Sequence, residues 1–565
     1  MRWTISADPS PEAVAVLASD LHVDPAIASL LIQRGVDTYD KAKKFFRPSF
    51  DDLYDPFLMK DMDKAVARIE QAIASEERIM VYGDYDVDGT TSVALMSTYL
   101  RTTYEYITTY IPDRYEEGYG VSFQGIDYAL DNDISLIIAL DCGIKAIDKV
   151  AYAKSKGLDF IICDHHRPGK QLPEAIAVLD PKREDCLYPY KELCGCGVGF
   201  KLISALSRKR KEPFTTLIPY LDLVVTAIAA DIVPITDENR TLAYFGMQQI
   251  NHAPRPGFEA IMQGVNKKEL SITDVVFMIA PRINAAGRMK HGNHAVSLLT
   301  ETEYTTACLY AQEIEQFNAD RRATDEQITK EALTQITKLK EEDRKTTVVF
   351  DKNWHKGVIG IVASRLIETY YRPTLVFTQS GNKLAASARS VKGFDIYNAL
   401  EACSEHIEQF GGHKYAAGLT LLPENYASFK KAFETVVSTS IEERLLVPEL
   451  NVDMTMDLNQ ITPKFYRILK QFAPFGPGNM RPQFLSRHLK DTGYGKCVGA
   501  DKTHLKITVT QSDHPTTTIG GIGFGLGAKA PLITSKKPFM AVYTLDENEW
   551  NGQTNIQLKL KDIKT

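Results

Sequence analysis

Between residues 77 and 235 the chain alternates between two periodicities. Short apolar runs, RIMVY, ISLIIAL, DFIIC and IAVL, are separated by stretches such as TTSVALMSTYL and KAIDKVAYAKSK, whose apolar residues recur at helical spacing. This alternation predicts βαβ units on a mainly parallel sheet. Ahead of it, residues 1–60 carry helical spacing with breaks near RGVD and RPSFDD. Residues 236–345 are mostly helical in pattern, and 303–342 run without Pro or Gly, which predicts a long connector helix. A second α/β unit starts at TTVVF, with a helix at VIGIVASRLIE and a strand at PTLVFT. The last stretch changes to alternating, β-branched runs (HLKITVT, TTTIGGI, FMAVYTL, NIQLKLKDI) separated by Gly, Asp and Asn, the pattern of a small β-barrel. The expected segments are 1–60, 61–250, 251–345, 346–445 and 446–565.

Composition changes this picture little. A chain of 565 residues requires several cores. Its 44% hydrophobic and 24% charged residues are those of an ordinary globular protein. No apolar run approaches the roughly 20 residues of a membrane span, and the start MRWTISADPS has no signal-peptide pattern. The eight cysteines show no framework spacing, which points to a reducing cytoplasm. Cys194 and Cys196 form a lone C-x-C without the second ligand pair a zinc site needs. The net charge of −6 argues against a generally basic nucleic-acid binder, although a carboxylate-rich site lowers that average while a basic groove persists elsewhere.

The candidate chemistry lies at the ends of the apolar runs. After RIMVY comes Gly83-Asp84-Tyr85-Asp86-Val87-Asp88-Gly89. Alternate residues of an extended segment share a face, so Asp84, Asp86 and Asp88 can converge, and carboxylates this close repel unless a cation sits among them. The calcium EF-hand reading fails because Leu95 stands where a bidentate Glu is required and a strand precedes the motif. The phosphate-loop reading fails because no G-K-[ST] follows. Asp141 follows ISLIIAL, in the crevice position of open α/β sheets. Asp164-His165-His166 follows DFIIC, with one imidazole able to ligate a metal and Asp164 able to orient it. Asp231 ends the apolar run LVVTAIAA, where a buried charge needs a partner. Hard oxygen ligands with His favour Mn²⁺ or Mg²⁺. Two such cations suit phosphoester hydrolysis, one lowering the pKa of a water and both stabilising charge at phosphorus.

D-x-D-x-D-G, D-C-G, D-H-H and the later Asp, in this order, resemble the DHH phosphoesterase superfamily, and within it the exonucleases of single-stranded DNA. Further segments carry the resemblance: Leu193 to Lys201 (LCGCGVGFK), Pro281 to Arg288 (PRINAAGR), Trp354 to Gly360 (WHKGVIG), Gly411 to Gly418 (GGHKYAAG) and Pro474 to Asn479 (PFGPGN). It implies an α/β parallel-sheet DHH domain joined by a long helix to a second, DHH-associated α/β domain that binds substrate, plus a C-terminal OB-like β-barrel. It also implies a 5′-to-3′ exonuclease releasing mononucleotides in recombination and repair, with single-stranded DNA as partner and a helicase and a single-strand-binding protein as cooperating proteins.

Carried over by position, Asp84, Asp86, Asp88, Asp141, His165 and Asp231 hold two divalent cations, Mn²⁺ or Mg²⁺, and His166 contacts the scissile phosphate. Arg282, Asn284, Arg288, Ser387, Arg389, Gly411, Gly412 and His413 hold DNA phosphates or the 5′ end. Arg suits such phosphates by bidentate bonding, and the glycines let backbone N–H groups approach an anion, as does a helix start near Gly357 to Gly360. Salt bridges between domains are the alternative for Arg282 and Arg288. In the barrel, Lys496, His504 and Lys506 are candidates for tracking the strand. Related manganese pyrophosphatases have His two positions before Asp84, where Tyr82 stands here, which implies a differently built metal site. A phosphodiesterase for short oligonucleotides or cyclic dinucleotides would share every ligand, but needs neither the barrel nor the PRINAAGR segment. A non-catalytic nucleic-acid-binding protein would have lost ligands, and none is missing. A monomer suits a chain that encloses its own substrate channel.

Overall fold

The computed structural model describes residues 1–265, 267–535, 537–550 and 552–565, with the Trp550 side chain left aside. Among the described residues there are four sheets. The first has five parallel strands in the order Ile107–Tyr110, Arg78–Gly83, Ile134–Leu140, Asp159–Cys163, Ala177–Leu179. Its central strands are nearly continuous apolar runs because both faces are covered. Ile79, Val81, Leu136, Ile138 and Ile161 enter one core, while Met80, Tyr82, Ile137, Ala139, Phe160 and Ile162 enter another.

The helix Tyr304–Lys338 has 35 residues, about 52 Å at 1.5 Å per residue. It joins two units by packing each half on a different core. Ala307, Ile314 and Phe317 belong to the first unit, and Ile328, Ala332 and Ile336 pack on Val349, Val362, Leu366 and Val376 of the second. The second unit's sheet is mixed. Thr347–Phe350 runs parallel to Thr374–Ser380, and Lys383–Arg389, Ala416–Leu421 and Gln409–His413 follow in antiparallel pairing.

The C-terminal region is a closed barrel. Phe484–Asp491 pairs with Phe539–Trp550 on one side and with His504–Gln511 on the other, and Gln553–Lys564 and His514–Gly523 complete the ring of five. Closure removes the free edges of the sheet.

The N-terminal stretch is helical over Pro11–Leu21, Pro25–Ile32 and Tyr39–Phe46, but it opens with a strand, Arg2–Ile5, paired in parallel with Glu449–Val452. Four residues are too few for the periodic pattern to reveal this strand. The N-terminal helices share one core with the barrel, in which Leu17, Ile27, Leu30 and Phe45 meet Phe465, Phe484, Tyr543 and Leu558. Arg240 ties the two to the first unit. Its guanidinium lies 3.7 Å over the Phe45 ring and donates to the carbonyls of Phe45 (2.8 Å) and Phe472 (2.9 Å). Among the described residues no single helix is long and apolar enough to cross a membrane.

Candidate functional site

In the first sheet the neighbouring strands Arg78–Gly83 and Ile134–Leu140 mark the point where strand order reverses, and open α/β sheets bind ligands beyond the carboxyl ends of such strands. Asp84, Asp141, Asp164 and Asp180 each stand one residue past a strand on that edge. Asp86 caps the helix Val87–Arg101 by accepting from Gly89 N–H at 3.0 Å, and Gly89 must lack a side chain because a Cβ would lie 2.3 Å from the Asp84 carbonyl. Asp88 accepts from the N–H groups of Gly195 and Cys196, both at 2.7 Å, at the start of the helix Gly195–Lys209. A helix N-terminus favours a carboxylate there. This gives the C-G-C-G segment a local role: a Cβ on Gly195 would sit 2.5 Å from the Asp141 Cβ.

His165 lies among these groups. Its Nε2 is 3.1 Å from Asp141 Oδ1, 3.6 Å from Asp231 Oδ2 and 3.7 Å from Asp88 Oδ2. Burial, then the charge of His166, lowers its pKa to about 3, so the ring is neutral. Among the described residues both ring nitrogens of His165, Asp84 Oδ2 and Asp141 Oδ1 are buried without a hydrogen-bond partner. Burial, and then Asp86, raises Asp84 well above the usual carboxylate range and Asp88 to about 7. Burial and Asp88 raise Asp141, and Asp231 to about 8. Asp231 also stands at the C-terminal end of the helix Leu221–Ala230, the end that disfavours a negative charge.

Each of these costs is removed by divalent cations. Neighbouring ligands of an octahedral ion bound at about 2.1 Å lie about 3 Å apart, which the His165–Asp141 contact of 3.1 Å matches. Asp88, His165 and Asp231 form one group able to hold an ion, and Asp141, His165 and His166 another. Asp84 and Asp86 fall outside both groups, and Asp86 acts on Asp88 and Asp141 through its charge. Asp141 adopts φ 60°, a left-handed conformation that Asp tolerates better than most residues.

Asp164 orients His166 rather than His165. Its Oδ1 is 2.8 Å from His166 Nδ1, and its Oδ2 accepts from Ile144 N–H at 2.9 Å. Burial opposes a charged His166, but the bond to Asp164 outweighs it and raises the pKa to about 9. The other nitrogen, Nε2, is 3.0 Å from the Tyr119 hydroxyl. Tyr82, at the position of the pyrophosphatase histidine, is fully buried and bonds the carbonyl of Gly120 at 2.9 Å. The Gly120 N–H in turn bonds Asp84 Oδ1 at 3.2 Å. Tyr82 is therefore a support for the loop beside Asp84 and is turned away from the carboxylates.

The second unit faces this centre. His413, at the tip of the hairpin strand Gln409–His413, is near enough to be influenced by the charges of His166 and Lys145. Gly411 and Gly412 precede it, and a Cβ on Gly412 would lie 2.4 Å from the Ala416 carbonyl. Burial, then the charges of Arg114, Arg389 and Arg321, lowers Arg288 to about 10. Arg389 bonds Ser387 Oγ at 3.0 Å. A Cβ on Gly360, in the first turn of the helix Ile359–Tyr370, would be 2.9 Å from Ser387 Oγ and 3.0 Å from Arg389 Nη2. Ser387, Arg389 and a helix start thus converge on one spot between like-charged guanidinium groups, a fit for a phosphate. Arg282 is bound instead to Glu315 (2.5 Å) and the Met278 carbonyl (2.6 Å), and Asn284 is half-buried on the same helix, Ala280–Met289. Lys496, His504 and Lys506 lie together on paired barrel strands, with Phe524 5.2 Å from the His504 ring.

Arg114 and Tyr119 were not legible as site residues. They sit on the loop after Ile107–Tyr110, with Arg114 4.6 Å over the Tyr85 ring. The available signal was the run PDRYEEGYG, right after a strand, in which charged and aromatic residues lead into two closely spaced turn glycines.

Three family models match the chain: the DHH family N-terminal domain over 78–228, the DHHA1 domain over 343–439 and the RecJ OB domain over 452–562. The single-stranded-DNA-specific exonuclease RecJ of Bacillus subtilis is 36% identical over 568 residues, covering 100% of this chain and 70% of the relative. That of Escherichia coli is 32% identical, covering 89% and 90%. Among solved structures, RecJ of Thermus thermophilus in complex with Mn²⁺ superposes with a TM-score of 0.84 at 26% identity, over 100% of this chain and 79% of that one. An exonuclease RecJ bound to manganese gives 0.60 at 31% identity, over 68% and 96%.

Proposed function

The chain belongs to the RecJ family of single-stranded-DNA-specific exonucleases, and from that premise we propose how its residues divide the work. It is a hydrolase of single-stranded DNA that uses Mn²⁺ or Mg²⁺. Asp84, Asp86, Asp88, Asp141, His165 and Asp231 hold two cations. The observation that carries this assignment is the group of buried polar atoms that have no hydrogen-bond partner among the described residues, His165 Nε2 and Asp141 Oδ1, 3.1 Å apart, foremost. Bound there, the cations supply an activated water and neutralise charge at phosphorus.

The chain's own groups do the rest. His166, held charged by Asp164, bonds the scissile phosphate in place of the Tyr119 hydroxyl and protonates the departing 3′ oxygen. Arg114, Arg288, Ser387, Arg389 and the backbone near Gly360 grip the terminal 5′ phosphate, and His413 with Gly411 and Gly412 covers the terminal nucleotide. Arg282 fixes the helix that carries Arg288 and Asn284 to the connector through Glu315. The reading is therefore 5′-to-3′ release of 5′-mononucleotides, in recombination and repair. It extends to a monomer in the cytoplasm, in keeping with eight free cysteines, working beside a helicase and a single-strand-binding protein.

The test is digestion of single strands labelled separately at either end, in Mn²⁺, Mg²⁺ or EDTA. Labelled mononucleotide should leave first from the 5′ end and only with metal. Release from the 3′ end, or digestion in EDTA, would contradict the assignment.

A further inference from the structure

The metal centre has two unlike flanks. On the side of Asp84 and Asp86 it is walled. A Cβ on Gly357 of the second unit would lie 2.4 Å from the Tyr115 hydroxyl and 2.6 Å from the Arg288 carbonyl, so the two units touch backbone to backbone there. A strand can end against such a wall and cannot run through it. Past His165 and His166 lies an open pocket of about 460 Å³ on the same carboxyl edge of the first sheet, lined by the loops after Asp159–Cys163 and Ala177–Leu179 alone.

This pocket carries two cations that the protein itself leaves unneutralised and a third that it pairs only loosely. Arg167 and Lys170 are exposed, and among the described residues neither has an acidic partner. Lys182 is more confined, and the carboxylate nearest to it, Glu192, is 3.6 Å away and half-exposed. Arg167 directly follows His166, and Lys182 lies two residues past Asp180, at the end of the strand paired with Asp159–Cys163, which places both beside the centre. Its backbone N–H is fixed by Asp180 Oδ1 at 2.7 Å, so the loop that presents it is anchored. The remaining charges of the lining are mostly matched, Arg183 being held by Asp185 and Asp61, with Glu184 the one acid left over among the described residues.

We propose that Lys182, Lys170 and Arg167 form a strand subsite that receives the phosphodiester groups lying beyond the scissile phosphate. The inference rests on the nuclease reading and deepens it. The walled flank fixes the terminus, and the open flank holds the continuing polymer and draws it across the metal centre. The pocket makes no base-specific contact, since phosphates position a strand without reading its sequence.

The test uses the full chain with Lys182→Gln, the double variant Arg167→Gln/Lys170→Gln, and the triple variant. Binding of a fluorescent twenty-nucleotide strand is followed against salt in EDTA, where no turnover occurs. The triple variant should lose about 2 from the log–log salt slope, at about 0.7 per cation on a single strand. In Mn²⁺, kcat/KM for the twenty-nucleotide strand should fall roughly tenfold more than that for a 5′-phosphorylated dinucleotide, which has no phosphate beyond the scissile one. An unchanged slope, or equal losses on both substrates, overturns the subsite. Weaker inhibition by a free 5′-mononucleotide with unaltered strand kinetics overturns it in favour of a product site. The double variant changes only exposed side chains, so it still judges the proposal if Lys182→Gln fails to fold. Should the unaltered protein leave DNA intact in Mn²⁺, the exonuclease reading fails, while the salt slope still decides the pocket.

Discussion

The two α/β units each present charged groups from a five-stranded sheet, and they do so with opposite signs and by different means. The first unit is all parallel, so every strand ends on one edge, and a single Asp after each of four strands suffices to crowd that edge with carboxylates. The second has an antiparallel hairpin, so Ser387 and Arg389 on Lys383–Arg389 and His413 on Gln409–His413 are held apart by the strand Ala416–Leu421 between them. Parallel strands concentrate ligands at a point, as a metal ion requires. Antiparallel strands lay donors along a line, as a phosphate and the nucleotide next to it require.

The sharpest way to break this comparison is Asp141→Asn, because Asn keeps the left-handed backbone of φ 60° and changes only the charge. Activity should fall by about a thousandfold, since losing a ligand forfeits several kcal/mol of charge stabilisation. In EDTA the same variant should be more stable to denaturant by about 1–3 kcal/mol, because a buried acceptor facing other acceptors has been relieved. A destabilised, metal-free Asp141→Asn would contradict the crowding on which the metal assignment stands. Next in size is metal removal. Transfer from saturating Mn²⁺ to EDTA should cost about 3 kcal/mol at a hundredfold excess over Kd, with hydrogen-exchange protection lost around residues 84–89, 141–144 and 163–166 and kept in the second sheet. Equal loss in both units would show that the cation also braces the second one.

Smaller is Arg389→Gln. Removing a charge-assisted phosphate bond costs about 2 kcal/mol, or roughly thirtyfold in kcat/KM. The loss should be greater on a 5′-phosphorylated strand than on a 5′-hydroxyl strand, with Mn²⁺ affinity by titration unchanged. An equal loss on both strands would remove Arg389 from the terminal site. The smallest effect expected is that of Gly287→Ala, whose Cβ would meet the Tyr85 carbonyl at 2.6 Å where the helix Ala280–Met289 crosses the first motif. Overpacking of about 1–3 kcal/mol should lower the melting temperature by a few degrees and leave Mn²⁺ affinity almost intact.

Much of the centre was legible because its chemistry is tied to strand ends. Apolar runs that cannot be mistaken for surface strands stop at Asp84, Asp141 and Asp164, so the carboxylates and the histidine pair are marked by what precedes them. Asp231 was marked by the expense of burying a charge at the end of an apolar run, although that run is a helix. Arg114 and Tyr119 escaped because a loop has no period, and its residues acquire a role only when folding lays them over Tyr85 and beside His166. The strand Arg2–Ile5 escaped because its partner lies more than 440 residues away in the chain.

By itself the sequence determined the order of α and β units, the long connector helix, the terminal barrel and the residue types of a two-cation phosphoesterase, because periodicity and motif spacing are local properties. Only the tertiary structure decided which histidine Asp164 orients, that Tyr82 supports a loop while Asp88 rests on the Gly195–Lys209 helix, that Arg282 pairs with Glu315, and that one flank of the centre is walled and the other open. These depend on distances between segments far apart in the chain, and such distances are set by how the cores pack.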